Sequence, residues 1–187
     1  MKASTPISSL LISLNWIPVL VDGVKYPWHR KPQKYARNRE LINGPRIYRW
    51  VLRSKVGDIE SVYIGQSEKF EKRLTRYRRL RESGTEVYVN NAFSDCEEHG
   101  GTVELQFLEV AEFEINGTLV DTSARSLGNH VVRQLLETTA ILTAQSEPPN
   151  LLNRPSKNVQ LKDALKFATR GPYARKMLLD QLTKVSS

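Results

Sequence analysis

Three tyrosines and an arginine are the residues of this chain whose types and order could do chemistry. Arg46-Ile47-Tyr48 and Val62-Tyr63-Ile64-Gly65-Gln66-Ser67 place two phenols on strand-like segments. Lys72-Arg73-Leu74 and then Tyr77 follow on a segment crowded with Arg and Lys. Two strands running into a helix in that order bring two phenols, a guanidinium and a third phenol within reach of one pocket beside a positive surface. Hydroxyl donors around a planar guanidinium suit the oxygens of a phosphodiester.

The elements that must position these groups are legible from periodicity. Residues 47–52 and 61–64 are rich in β-branched and aromatic side chains and read as antiparallel strands, joined by a turn at Gly57-Asp58. Side chains two apart share a strand face, so Tyr48 and Trp50 point together, opposite Ile47 and Val51. Tyr63 points opposite Val62 and Ile64, which lets the two phenols occupy one sheet face. Ser67 is an expected N-cap for a helix over 68 to about 81. Phe70, Leu74 and either Tyr77 or Leu80 supply its apolar stripe, and Arg73 and Tyr77 lie one turn apart on one face. Lys69, Lys72, Arg76, Arg78, Arg79 and Arg81 crowd the rest of its surface, and a bound anion would relieve their mutual repulsion.

Downstream, residues 83–101 are polar and glycine-bearing and read as a loop around a short middle segment. Residues 102–115 alternate as a long strand, and Asn116-Gly117 signals a hairpin into 118–120. A second helix is expected from Ser123 or Ser126 to about Gln145, with Leu127, Val131, Leu135 and Leu142 on its buried side and Glu137 at the edge of that stripe. Pro148-Pro149 ends it. A last helical stretch over 161–185 is broken near Gly171-Pro172. The fold expected is α/β of the α+β type, a small mixed or antiparallel sheet flanked by helices. It divides into an N-terminal extension (1–43), a core (44–155) and a C-terminal helical extension (156–187).

The bulk composition narrows the partners. With 28 Lys and Arg against 20 Asp and Glu, the net charge of +8 favours a polyanion or an acidic membrane surface. The single Cys96 excludes an internal disulfide and a cysteine-rich zinc site, which points to the cytoplasm. No apolar run approaches the roughly 18 residues needed to cross a bilayer, and the apolar stripe over 68–81 is better explained by packing than by a membrane surface, so no membrane partner is expected. The apolar stretch over 7–21 is interrupted by Ser8, Ser9, Ser13, Asn15 and Pro18, and reads as a packed N-terminal element rather than a leader. Residues 25–39 mix Lys and Arg with Tyr26, Trp28 and Tyr35. They read either as an arm that grips phosphates and stacks on bases or as a solvated surface segment. His29, His99 and His130 lack metal-ligand spacing, and Asp95-Cys96-Glu97-Glu98-His99 reads as a solvated acidic loop.

The ordered set as a whole resembles the GIY-YIG endonuclease family. Tyr63-Ile64-Gly65 stands for the second half of the family signature and Arg46-Ile47-Tyr48 for the first, with Arg46 where the family usually has glycine. Arg73 fits the family's helix arginine, and Tyr77 the Tyr or His one turn later. Glu137, in a helix followed by Pro-Pro and Asn, resembles the metal-binding glutamate. Asn150 and Asn153 both qualify as the trailing asparagine, and Leu152-Asn153 is the more similar. The similarity spans residues 44–154.

The resemblance implies a phosphodiester hydrolase acting on double-stranded DNA. Tyr48 would be the general base, its phenol lowered from about 10 by Arg73 and a bound divalent ion. Tyr63 would hold the phosphate or the attacking water, Arg73 would clamp the scissile phosphate, and Tyr77 would relay a proton or place water. Glu137 would bind one Mg²⁺ or Mn²⁺, and Asn153 would brace the site. Lys69, Lys72, Arg76, Arg78 and Arg79 would contact DNA. A compact chain fits a restriction-type enzyme, acting as a homodimer on a short duplex site, better than a repair or homing nuclease. The rival from another class is a catalytically silent nucleic-acid-binding module on the same fold.

Overall fold

The computed structural model describes residues 10–21, 23–29, 42–78, 85–115, 118–122, 127–128, 130–145 and 150–153. The expected helical stretch over 161–185, together with Tyr35 and Arg79, lies outside the described residues. The fold is mixed α+β, built on a six-stranded mixed sheet.

At the centre of that sheet β4 (Arg46–Arg53) pairs antiparallel with β5 (Ile59–Ser67), as their alternation predicts. Gly57, at φ +99°, takes the left-handed conformation of the turn between them, where the Asp58 carbonyl accepts from the Ser54 amide. On its other side β4 pairs with the lower half of β6 (Thr102–Ile115), a strand long enough to outrun it. The free upper half of β6 takes β7 (Thr118–Thr122) on the β4 side. Along its opposite side β6 pairs antiparallel with β1 (Leu10–Pro18), whose register shifts between Asn15 and Trp16. The N-terminal segment is thus built into the sheet as a strand. A separate short hairpin, β2 (Leu20–Val21) with β3 (Val24–Lys25), follows it. Beyond β5 the sheet ends in β8 (Asn150–Leu151), which runs parallel to it.

Tyr48, Trp50, Leu52 and Tyr63 face one core together with Leu105 and Phe107 of β6. Two helices close that core. α1 (Phe70–Arg78) contributes Phe70, Leu74 and Tyr77, so Tyr77 completes the stripe that the sequence left open. α2 (Thr85–Glu98) contributes Val89, Phe93 and Cys96. Ile47, Val51, Val62 and Ile64 are buried on the other face, against α3 (His130–Gln145).

Four expectations are corrected here. Residues 85–98 form a helix, not a loop, because Val89, Phe93 and Cys96 recur at helical spacing against Trp50 and Trp28. The Gly100-Gly101 pair read as loop is that helix's stop signal. Gly100 is left-handed at φ +79°, its amide donates to Glu97 O, and the Gly101 amide donates to Cys96 O, the Schellman pattern. Leu127 and Leu135 are buried as expected, but Leu142 is only half-buried, Val132, Leu136 and Ala140 complete the stripe of α3, and the Val131 side chain lies outside the described residues. Tyr26 and Trp28 are buried in the core, which removes both rings from any base-stacking arm.

Candidate active site

The register of β4 and β5 decides where the phenols go. Tyr48 sits opposite Gly65, and Trp50 opposite Tyr63, so Tyr48 and Tyr63 lie on one face with ring centroids 6.5 Å apart. The glycine at 65 is a steric requirement. A Cβ there would come within 2.6 Å of the Tyr48 hydroxyl oxygen and 2.7 Å of its Cζ. Phe70, at the start of α1, packs on the Tyr48 ring at 4.7 Å and on Phe107 at 4.9 Å, which fixes the ring from the side.

α1 starts where it does because its first amides find acceptors. The Lys69 amide donates to Ser67 Oγ, and the Phe70 amide to the carbonyl of Gly44. That start places Arg73 and Tyr77 over the two strands. Arg73 Nε donates to the Tyr48 hydroxyl at 3.0 Å, and an Arg73 terminal nitrogen donates to the Tyr63 hydroxyl at 3.3 Å. The hydroxyls of Tyr48 and Tyr77 are 2.9 Å apart, and the Arg73 guanidinium lies 5.5 Å from the centroid of the Tyr77 ring. One guanidinium therefore gathers three phenols.

Tyr48 has 0% of its surface exposed, and Tyr77 1%. Burial pushes the Tyr48 phenol well above its ordinary range, and neighbouring Tyr63 adds to this. Arg73 and the hydrogen bond from Tyr77 work in the other direction without overcoming it. Tyr77 is raised as well, by burial first and then by Tyr48 and Tyr63. Arg73 alone thus does not give the low phenol expected for a general base, and the arrangement holds a neutral Tyr48 beneath a cation.

Glu137 and Asn153 meet on the outer edge of β5. Alternate residues of a strand present their backbone groups to the same edge. The carbonyl of Val62 accepts the Leu152 amide, and the amide and carbonyl of Ile64 are both taken by the Asn153 side chain, at 2.8 and 2.6 Å. The Gln66 amide donates to the Glu137 carboxylate. Asn153 thus continues the ladder that β8 begins, and Glu137 finishes it. Asn150, by contrast, is an exposed β8 residue paired with Ser61. Of the two asparagines, Asn153 is the one whose side chain holds β5, at Ile64.

The Glu137 carboxyl is half-buried, and burial raises it to about 7, although the Gln66 amide and the Arg73 charge both act to lower it. The Arg73 charge acts on Glu137, and the two are linked through β5, where Glu137 meets Gln66 one residue beyond the Gly65 that faces Tyr48. A half-buried carboxylate so placed fits a hard divalent cation. Mg²⁺ commonly takes one or two carboxylates and keeps several waters. No cluster of three His, Cys, Asp or Glu with metal-binding geometry occurs among the described residues.

Of the residues expected to contact a phosphate backbone, Lys69, Lys72 and Arg76 are exposed on or beside α1. The Arg78 side chain, like Arg79, lies outside the description. Arg46 shares the Tyr48 face, its guanidinium 5.4 Å from the Phe107 ring centroid and one of its terminal nitrogens donating to Pro45 O.

Two residues at this site were not singled out from the sequence. Arg133, one turn before Glu137 on α3, is 4% exposed. Its Nε donates to Gln66 Oε1 at 3.1 Å, and another nitrogen to the carbonyls of Leu127 and Gly128 at 2.6 and 3.0 Å. The signal for Arg133 was an arginine inside an apolar stripe; for Gln66 it was only adjacency to Tyr63-Ile64-Gly65. Among the described residues no helix is long and apolar enough to cross a membrane. Comparison with protein-family models, with curated proteins and with solved structures finds no match.

Proposed function

We propose that this protein is a metal-dependent DNA endonuclease of the GIY-YIG type, with a restriction-type role on duplex DNA. The observation that carries the reading is the convergence of the Tyr48, Tyr63 and Tyr77 hydroxyls on Arg73, with the Glu137 carboxylate within its field. The exposed cations of α1 extend that site toward a polyanion.

Hydrolysis requires a water oxygen to attack phosphorus, the bond to the 3′ oxygen to break, and that oxygen to gain a proton. The products are 5′-phosphate and 3′-hydroxyl ends. Arg73 clamps the non-bridging oxygens, whose charge grows in the transition state, and Tyr63 orients either the phosphate or the water. As Arg73 turns to the phosphate it uncovers Tyr48, which takes the proton of the attacking water as phenolate, its own proton having first passed to solvent under the charges of Arg73 and of a cation that Glu137 would hold, while the departing 3′ oxygen takes a proton from solvent. Tyr77 holds Tyr48 in place and supplies it with a hydrogen bond. Glu137 would hold one Mg²⁺ or Mn²⁺, which would supply electrostatic stabilisation to the departing oxygen.

The test incubates plasmid DNA with the protein and Mg²⁺ or Mn²⁺, with EDTA as control. Metal-dependent nicking or discrete bands, lost in Tyr48→Phe and Glu137→Ala proteins, support the enzyme. The covered Tyr48 hydroxyl favours a second reading, a silent nucleic-acid-binding module. Salt-sensitive DNA binding with no cleavage under either metal would establish that module and end the nuclease reading.

A further inference from the structure

We infer that Arg133 and Gln66 form a positioning clasp that sets Glu137 against the phenol–guanidinium cluster. The inference rests on the nuclease reading given above. α3 grips one residue of β5 at two points. Glu137 accepts from the backbone amide of Gln66, and Arg133, four residues earlier on the same helix face, donates to the side-chain oxygen of that same residue. The other end of the Arg133 fork is tied to the carbonyls of Leu127 and Gly128, the short turn that leads into α3. A single guanidinium therefore fixes the entry of the helix and its height on the strand together.

Its surroundings explain why the fork matters more than the charge. The Arg133 contacts are three neutral oxygens, in three directions that a planar guanidinium serves and an ammonium serves poorly. Every partner of Arg133 is an oxygen of Gln66, Leu127 or Gly128, and none is a carboxylate. Arg133 acts on Glu137 through geometry. Sliding or tilting α3 by a fraction of a turn would part the carboxylate from the Gln66 amide and from Arg73, and catalytic groups tolerate little displacement.

Gln66→Leu is the informative variant, because it removes the side-chain acceptor and leaves the backbone amide that Glu137 uses. Losing a group that orients a metal ligand commonly costs about 10–100-fold in metal affinity or activity. For saturating plasmid substrate, Gln66→Leu should lower kcat by about tenfold or more with KM for DNA within about twofold. Its Mn²⁺ affinity, read by titration against the Mn²⁺ electron paramagnetic resonance signal, should fall in parallel. Arg133→Met should show the same defect, and the double variant no more than either single one, since both break one contact. Gln66→Glu, which keeps an acceptor for Arg133, should retain kcat.

Melting temperature separates a structural role. A Gln66→Leu protein that is merely less stable, with wild-type kcat and Mn²⁺ affinity well below its melting point, overturns the clasp. So do additive single and double defects. Wild-type protein without cleavage in either metal would instead refute the nuclease reading itself, and Mn²⁺ affinity would then be the readout of the clasp.

Discussion

Replacing Glu137 with Gln should make the protein more stable at pH 8 while abolishing cleavage. The carboxyl is raised from its ordinary 4.5 to about 7, chiefly by burial. Between these two values the unfolded chain has released the proton and the folded chain has not, so stability falls as the pH rises through that window. Carrying the carboxyl from 4.5 to about 7 amounts to about 3 kcal/mol, present in full below the ordinary value and lost above pH 7. At pH 5 the loss is less than about 1 kcal/mol. Gln keeps an oxygen for the Gln66 amide and carries no charge to desolvate. The variant should therefore gain about 3 kcal/mol at pH 8, about 6–12 °C in melting temperature for a chain of this size, and little at pH 5. Thermal melts at both pH values in EDTA, followed by addition of Mg²⁺ at pH 8, make the assay. Mg²⁺ should raise the wild-type melting point and leave the Gln variant unmoved. Equal stability of the two proteins at pH 8, or the same difference at both pH values, would refute the reasoning that this carboxylate is held charged at a cost.

Gly65→Ala leaves every reacting group in place but pushes the Tyr48 ring, whose hydroxyl oxygen would lie 2.6 Å from the new carbon. Overpacking of this kind costs about 1–3 kcal/mol, and cleavage should fall more than tenfold, checked by melting and by single-turnover cleavage. Asn153→Ala strips two hydrogen bonds from Ile64 and should cost about 2–4 kcal/mol in urea denaturation, with Asn153→Asp in between because a carboxylate cannot donate to the Ile64 carbonyl. Changing Lys69, Lys72 and Arg76 together to Ala should reduce the slope of log K against log salt by up to about 3 for duplex DNA, measured by fluorescence anisotropy. An unchanged slope would move the DNA path off α1.

The strands that carry the phenols were legible because their alternation is strong and both faces are buried: Ile47 and Val51 face α3, and Tyr48 and Trp50 face the core with α1 and α2. The shared face of Tyr48 and Tyr63 followed from period two, and the β4–β5 register then set their spacing. α1 was legible through Ser67 and the Phe70–Leu74–Tyr77 stripe. α2 was not, because Asn90, Asn91, Ser94 and Asp95 favour turns locally, and only burial of Val89 and Phe93 against Trp50 overrides them. The raised phenol of Tyr48 in the metal-free protein was not legible for a related reason. Proximity of Arg73 could be inferred from sequence, whereas the depth of burial that outweighs it is a property of the assembled core. Tyr26 and Trp28 were misread in the same way, as aromatic residues among cations that prove to be core.

The outer border of β5 is stitched by three different things in succession: a short parallel strand, an amide side chain and a carboxylate. Among the described residues, a border finished with side chains offers a poor template for another polypeptide to dock by strand addition. Deleting the tail from residue 150 onward would undo two of those stitches together. The bared backbone would then recruit neighbouring molecules, and such a truncated protein should self-associate before it loses its central strands.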